Sequence, residues 1–137
     1  MEVKRFDRQL WLENDKKAKE AMLEYLGAGW VENPKKRDPD LINILGTAFA
    51  ECEIKQRFKG DTFQYDTVQI PQRKGKWKEL NITYYILNVE CTHAIKIPAI
   101  CLDDEFLKEV RNKFVFKGEY FYCIPMEYCE IIDLQGE

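Results

Sequence analysis

Apolar and polar residues alternate along this chain with two different periods, and the change of period divides it into elements. Over residues 8–26, "RQLWLENDKKAKEAMLEYL", a helical period of 3.6 places Trp11, Ala18, Met22, Tyr25 and Leu26 on one face. Glu13, Glu20 and Glu24 fall on the opposite face, and "GAG" at 27–29 stops the helix. Asp15 falls inside the apolar stripe with Lys19 at its edge, where a carboxylate costs desolvation unless an opposite charge meets it. "VENPKKRDPD" is a polar, proline-bearing connection. "LINIL" then reads as a buried strand, "GT" as a turn, and "AFAECEIKQRF" as a strand of period two. In that strand Ala48, Ala50, Cys52 and Ile54 face one way, and Phe49, Glu51, Glu53 and Lys55 the other.

Farther on, "TFQYDTVQIP" is extended and ends at Pro71, and Gly75 argues against a long helix in "QRKGKWKEL". "NITYYILNVE" and "HAIKIPAICL" read as strands, "DDEFLKEVRNKF" as a short helix with acidic residues in its first turn, and "EYFYCIPMEYCEIIDL" as strand-like segments. The expected class is α/β (α+β): a mixed β-sheet core with an N-terminal helix and flanking short helices, forming a single domain over residues 1–137.

Composition narrows the functional classes. The chain is 45% hydrophobic and 33% charged, a globular balance, and it contains no apolar run long enough for a membrane span. The opening "MEVKRFDRQLW" lacks the apolar stretch of a signal peptide, so the expectation is a cytoplasmic protein. The five cysteines form no CxxC pair and His93 is the single histidine, which argues against a zinc site. Cys52, Cys101 and Cys123 read as small core residues. Net charge is −3, yet residues 55–78 carry seven basic residues against Asp61 and Asp66. A basic segment on an acidic chain points to a polyanion at one face.

Pro39-Asp40 followed by Glu53-Ile54-Lys55 resembles the PD-(D/E)XK (restriction-endonuclease-like) nuclease superfamily. In that family a helix leads to a strand with an aspartate at one end, and the next strand carries Glu-x-Lys. Acid-x-Lys triplets also occur at Glu2-Lys4 and Asp15-Lys17, but only the one at 53–55 lies in an alternating apolar strand after a Pro-Asp. The resemblance covers roughly residues 7–60. It implies a restriction-endonuclease-like core and Mg²⁺, with Mn²⁺ as a substitute, held by Asp40, Glu53 and the carbonyl of Ile54. Magnesium takes oxygen ligands and few protein carboxylates, and a bound divalent ion offsets the repulsion between a phosphodiester and its nucleophile. Glu53 and Lys55 emerge on one face, about 7 Å apart along the strand, so that Lys55 orients the attacking water or stabilises the transition state. The family's helix acid falls on Asp15 by its core-facing position or on Glu20 by spacing, and the face favours Asp15. Glu51 shares the face of Glu53 as a supporting residue or an exposed one.

The basic segment then reads as the nucleic-acid contact. Gln69, Gln72, Arg73, Lys74, Lys76 and Trp77 supply donors, phosphate-neutralising charge and a stacking ring, and "NPKKR" at 33–37 adds a second phosphate contact. The implied function is a small metal-dependent endodeoxyribonuclease, phage-like in size. It would be structure-specific in the manner of junction resolvases and active as a homodimer on duplex or branched DNA. The alternatives are a restriction- or homing-type endonuclease, a non-catalytic nucleic-acid-binding module on the same fold, and an interaction domain docking through its aromatic C-terminal segment.

Overall fold

The computed structural model describes residues 8–110 and 119–136. The helix α1 (Arg8–Leu26) forms over the span its periodicity marks, and Gly27 leaves it with φ +94°. A six-stranded sheet follows, built from β1 (Trp30–Glu32), β2 (Leu41–Asn43), β3 (Phe49–Ile54), β5 (Ile82–Leu87), β6 (His93–Pro98) and β9 (Glu130–Asp133) in the order β1-β2-β3-β5-β6-β9. The first three strands form an antiparallel meander, β3 pairs parallel to β5, and β6 and β9 continue antiparallel. The parallel step needs a crossover, and β4 (Thr67–Pro71) lies in it. With β8 (Glu119–Pro125) and β7 (Leu107–Val110), β4 forms a second, antiparallel sheet ordered β4-β8-β7. The fold is therefore mixed α/β, with one α-helix and two sheets among the described residues.

The large sheet is covered on both faces. Ala18 and Met22 of α1 bury against Leu41, Ala50, Cys52, Tyr85 and Leu87 on one side. On the other, Ile82, Tyr84, Ile86, Ile95 and Ile97 meet Val68, Ile70, Tyr122 and Ile124 of the small sheet. A strand buried on both faces reads as a continuous apolar run, which explains "ITYYIL". In β3, Ala50 and Cys52 take the helix side, whereas Phe49 packs toward the inter-sheet core, so Glu51 and Glu53 share that second side.

The structure departs from the sequence expectations in several places: Trp11 and Tyr25 of the expected helix face are 52% and 39% exposed, and the strand expected through "HAIKIPAICL" ends at Pro98 in a 3₁₀ turn. The helix expected in "DDEFLKEV" is a single 3₁₀ turn, Asp104–Phe106, followed by strand β7. The acidic start signal is real, but it serves a turn: the Asp103 carboxylate accepts the Glu105 N–H at 3.0 Å. The remainder of that expected helix lies outside the described residues. "LINIL" is a strand only to Asn43, whose side-chain oxygen accepts the N–H groups of Thr47 and Ala48 and closes the hairpin early. Ile44 and Leu45 are left 67% and 82% exposed at its tip. The connection expected between helix and hairpin also holds the short strand β1, and its Trp30 is half-buried against the helix-side core. Cys101 is partly buried and packs at the margin of the inter-sheet core rather than inside it. Among the described residues no helix is long and apolar enough to cross a membrane.

Residues Gln72–Trp77 form a 3₁₀ turn directly after β4. Gly75 sits at its centre because Tyr122 leaves no room for more. A Cβ there would lie 2.8 Å from the tyrosine oxygen and 2.9 Å from a ring carbon. Tyr122 is itself buried between the sheets and has little freedom to move. Gly75→Ala should therefore destabilise the protein by about 1–3 kcal/mol, as overpacking does. The urea-unfolding midpoint measures it, and an unchanged midpoint would show that the turn shifts freely.

Candidate active site

The carboxylates come together because of strand register. Leu41 pairs with Ala50 across β2 and β3, which sets Asp40 opposite Glu51. The β2 pairing ends there and leaves the Cys52 N–H without a ladder partner, and the Asp40 carboxylate accepts it at 3.1 Å. In return the Asp40 N–H donates to Glu51 Oε1 at 3.0 Å. Glu51 is 6% exposed, and its other oxygen meets the Lys74 ammonium at 3.0 Å. Lys74 is delivered by the 72–77 turn, and the Tyr84 hydroxyl fixes that turn by donating to the Lys74 carbonyl.

The charges in this cluster act on one another. Burial, and then the neighbouring Glu51 carboxylate, push the Asp40 carboxyl up to about 7, against the opposing pull of the Cys52 N–H and Lys74. Burial alone would draw the Lys74 ammonium down. Glu53, Glu51 and Asp40 more than offset it, so Lys74 stays charged above its ordinary range. Farther along β3 the face opens to solvent. Glu53 and Lys55 are partly exposed, with their charged ends 4.0 Å apart.

Of the residues expected at the site, Asp40 lies in the cluster, and Glu53 and Lys55 lie farther along the same face. Asp40 stands at the centre. Its near partner is Glu51 rather than Glu53, and Glu53 lies one pleat along. Sequence alternation put both glutamates on this face, and only the register with Asp40 distinguishes them. Ile54 ends β3 in register with Leu87, and its side chain is partly buried against the helix-side core. Asp15 faces inward as its stripe position implied, but it lies on the helix side of the sheet and pairs with Lys19 at 3.1 Å. Lys19 bridges on to Glu32, also at 3.1 Å, and burial fails to lower its pKa because these acids, with Asp40 beyond them, hold it raised. Glu20 is exposed and pairs with Lys16.

The basic segment divides. Gln72, Arg73 and Lys76 are exposed, Gln69 is half-buried in β4, and Lys74 points inward to Glu51. Trp77 packs on the inter-sheet core with the Lys76 ammonium 4.7 Å from its ring centroid, so it is a packing residue rather than a free stacking platform. Lys74 was expected at the surface, because sequence alone does not show which of several neighbouring cations meets a buried acid 23 positions earlier.

Two carboxylates held together, Glu51 enclosed and Asp40 partly buried, with Asp40 driven toward its protonated form by burial and by its neighbour, are a donor pair suited to a hard divalent cation. The fit is limited to that pair: among the described residues no group of three or more His, Cys, Asp or Glu side chains is arranged to hold a metal. No family model, curated protein or solved structure matches the chain.

The Asp40 shift has a consequence for stability in metal-free buffer. An unfolded aspartate titrates near its ordinary 3.8, and the folded one near 7. Between those values the folded state binds more protons, so stability should fall as pH rises from about 4 to about 7, by on the order of 2–3 kcal/mol. Lys74 remains charged throughout that window and adds no slope. Asp40→Asn keeps an acceptor for the Cys52 N–H and should flatten the profile. Urea unfolding in EDTA across this pH range measures both.

Lys74→Met should cost about 3–5 kcal/mol by stranding the buried Glu51 charge. Adding Glu51→Gln should recover much of that loss, which a double-mutant cycle reads directly.

Proposed function

We propose that this chain is a metal-dependent endonuclease of the restriction-endonuclease-like type, hydrolysing DNA phosphodiesters at the Asp40–Glu51 edge and acting on branched or otherwise irregular DNA as a homodimer. The observation that carries the reading is the convergence of Asp40 with Glu51, with Glu53 and Lys55 on the same face beyond them. The order of elements agrees with it: a helix, a Pro-Asp at a strand end, a turn, and an acidic strand followed by lysine. Asp40 and Glu51 would hold Mg²⁺ or Mn²⁺, which would supply Lewis-acid polarisation of the phosphoryl oxygen and an activated water. Lys55, at the open end of the strand, orients the nucleophile and meets developing negative charge. Lys74 meets one Glu51 oxygen at 3.0 Å and so offsets the cost of burying a ligand carboxylate there. The exposed Arg73 and Lys76 lie on the same turn as Lys74 and supply phosphate contacts.

A second reading is favoured by the Lys74–Glu51 contact. There the ammonium is the permanent cation of the cluster, and the chain is a non-catalytic nucleic-acid-binding module.

Incubation with Mg²⁺ or Mn²⁺ and a panel of linear, single-stranded, flap and four-way-junction DNA separates the two. The nuclease reading expects cleavage that EDTA abolishes, and losses of at least about 100-fold in Asp40→Ala, Glu51→Ala and Lys55→Ala. Arg73→Ala with Lys76→Ala should weaken binding and lower its salt slope without removing cleavage at saturation. DNA binding with no cleavage under either metal would establish the module instead.

A further inference from the structure

Beyond Lys55 the chain turns out of β3, and a pocket of about 400 Å³ opens between this turn and β4. Lys55, Arg57, Phe63, Tyr65, Thr67 and Gln69 line it. Its volume lies within the range of small-ligand sites. Three aromatic rings step from the core to its mouth. Phe58 is fully buried, Phe63 meets it edge-on at 5.5 Å, and Tyr65 meets Phe63 at 5.3 Å while remaining 37% exposed. Gln64 and Arg57 lie beside the Tyr65 hydroxyl and draw its pKa down, while the edge contact with Phe63 seats the outermost ring. A second hollow, lined by Lys59, Thr62 and Gln64, shares the Arg57–Tyr65 wall.

The loop is braced from behind. The buried Asn88 side chain donates to the Gly60 carbonyl at 2.7 Å, the Val89 N–H donates to the Phe58 carbonyl at 2.9 Å, and Glu90 accepts the Gly60 N–H at 3.0 Å. A surface loop that only connected β3 to β4 would not need three ties to a neighbouring hairpin. The ties hold an aromatic ladder, an amide and two cations in fixed relation at the end of the acidic strand.

These groups are the parts of a nucleotide site. An anchored ring offers a face for a base, the Gln69 amide offers both a donor and an acceptor to a base edge, and Lys55 and Arg57 neutralise phosphates. A stacked duplex buries its base faces, so such a pocket takes a base only from an unpaired or extruded nucleotide. We propose that the Tyr65 pocket binds one unstacked nucleobase beside the phosphate presented to Asp40 and Glu51, which makes single-stranded or locally unpaired nucleic acid the substrate class. This rests on the nuclease reading for its link to cleavage, whereas the base-binding pocket stands on its own geometry. Lys55 joins the two, lining the pocket while its ammonium lies 4.0 Å from Glu53.

The test is fluorescence anisotropy of the full chain in Ca²⁺ with a labelled oligothymidylate, the same strand in a blunt duplex, and the same strand carrying abasic positions. Single strand should bind at least about tenfold tighter than duplex, and abasic substitution should remove that advantage. Tyr65→Ala and Gln69→Ala should each weaken single-strand binding about five- to tenfold, and Tyr65→Phe should hold it within about twofold, since the ring face is kept. Equal affinity for single strand and duplex overturns the proposal. So does a folded Tyr65→Ala protein, verified by its unfolding midpoint, that binds as the wild type does. Cleavage in Mg²⁺ is scored separately. Base-dependent binding without cleavage retains the pocket and removes the nuclease reading, while metal-dependent cleavage indifferent to Tyr65 removes the pocket alone.

Discussion

A carboxylate buried between two sheets, that of Glu51, sets the terms for much of this structure. Removing such a charge from water costs several kcal/mol, and the chain meets the cost with one ammonium and one backbone N–H. Each compensating group has its own support. Lys74 reaches Glu51 because the 72–77 turn is pinned by Tyr84 from the large sheet and seated on Tyr122 of the small sheet, which only glycine at position 75 permits. The Asp40 N–H reaches Glu51 because the Asn43 turn fixes the hairpin register. A well-packed apolar pair of similar volume would be as stable or more stable. The arrangement is therefore better explained by what the charges do than by the stability they add.

The point where β2 parts from β3 shows how the fold produces the site. A continued ladder would satisfy the Cys52 N–H with backbone and shut the edge. Instead the Asp40 side chain takes that N–H, which places a second carboxylate beside the first and leaves the following residues of β3 open. One local substitution of side chain for backbone thus accounts for the carboxylate pair and the exposure of Glu53 and Lys55, while burial and the neighbouring Glu51 raise the Asp40 pKa against the pull of the Cys52 N–H.

The apolar pattern made the helix, the 41–54 hairpin and strands β4, β5 and β6 legible, by alternation or, in β5, by a continuous apolar run, although Trp11 and Tyr25 of the expected helix face stay exposed. The same rule misread residues 104–110, where a few residues do not distinguish helical from extended spacing and an acidic cluster serves a turn as well as a helix start. Strand β1 carries too few residues, in too polar a setting, to leave a pattern. At the site, alternation identified the face and the Pro-Asp identified the partner strand. The choice between Glu51 and Glu53 depended on a register that the Asn43 side chain sets, and the inward turn of Lys74 depended on contacts between segments distant in sequence. Asp15 was correctly read as inward-facing and as needing a counter-charge. What the helical stripe could not reveal is that Lys19 supplies it, on the opposite side of the sheet from Glu51.

Exposure along β3 and into its following turn changes in one direction. Glu51 is enclosed, Glu53 and Lys55 are half-open, and the Tyr65 pocket is reached from solvent. Ligand binding to a gradient of this kind need not open the core, because the buried end is already neutralised by Lys74 and the exposed end is already ordered by Asn88 and the ladder of rings. Both ends are organised before any ligand arrives, which lowers the ordering cost of binding. Under the proposed function, the β3 strand and its braced turn would set where a strand of nucleic acid meets the acidic face.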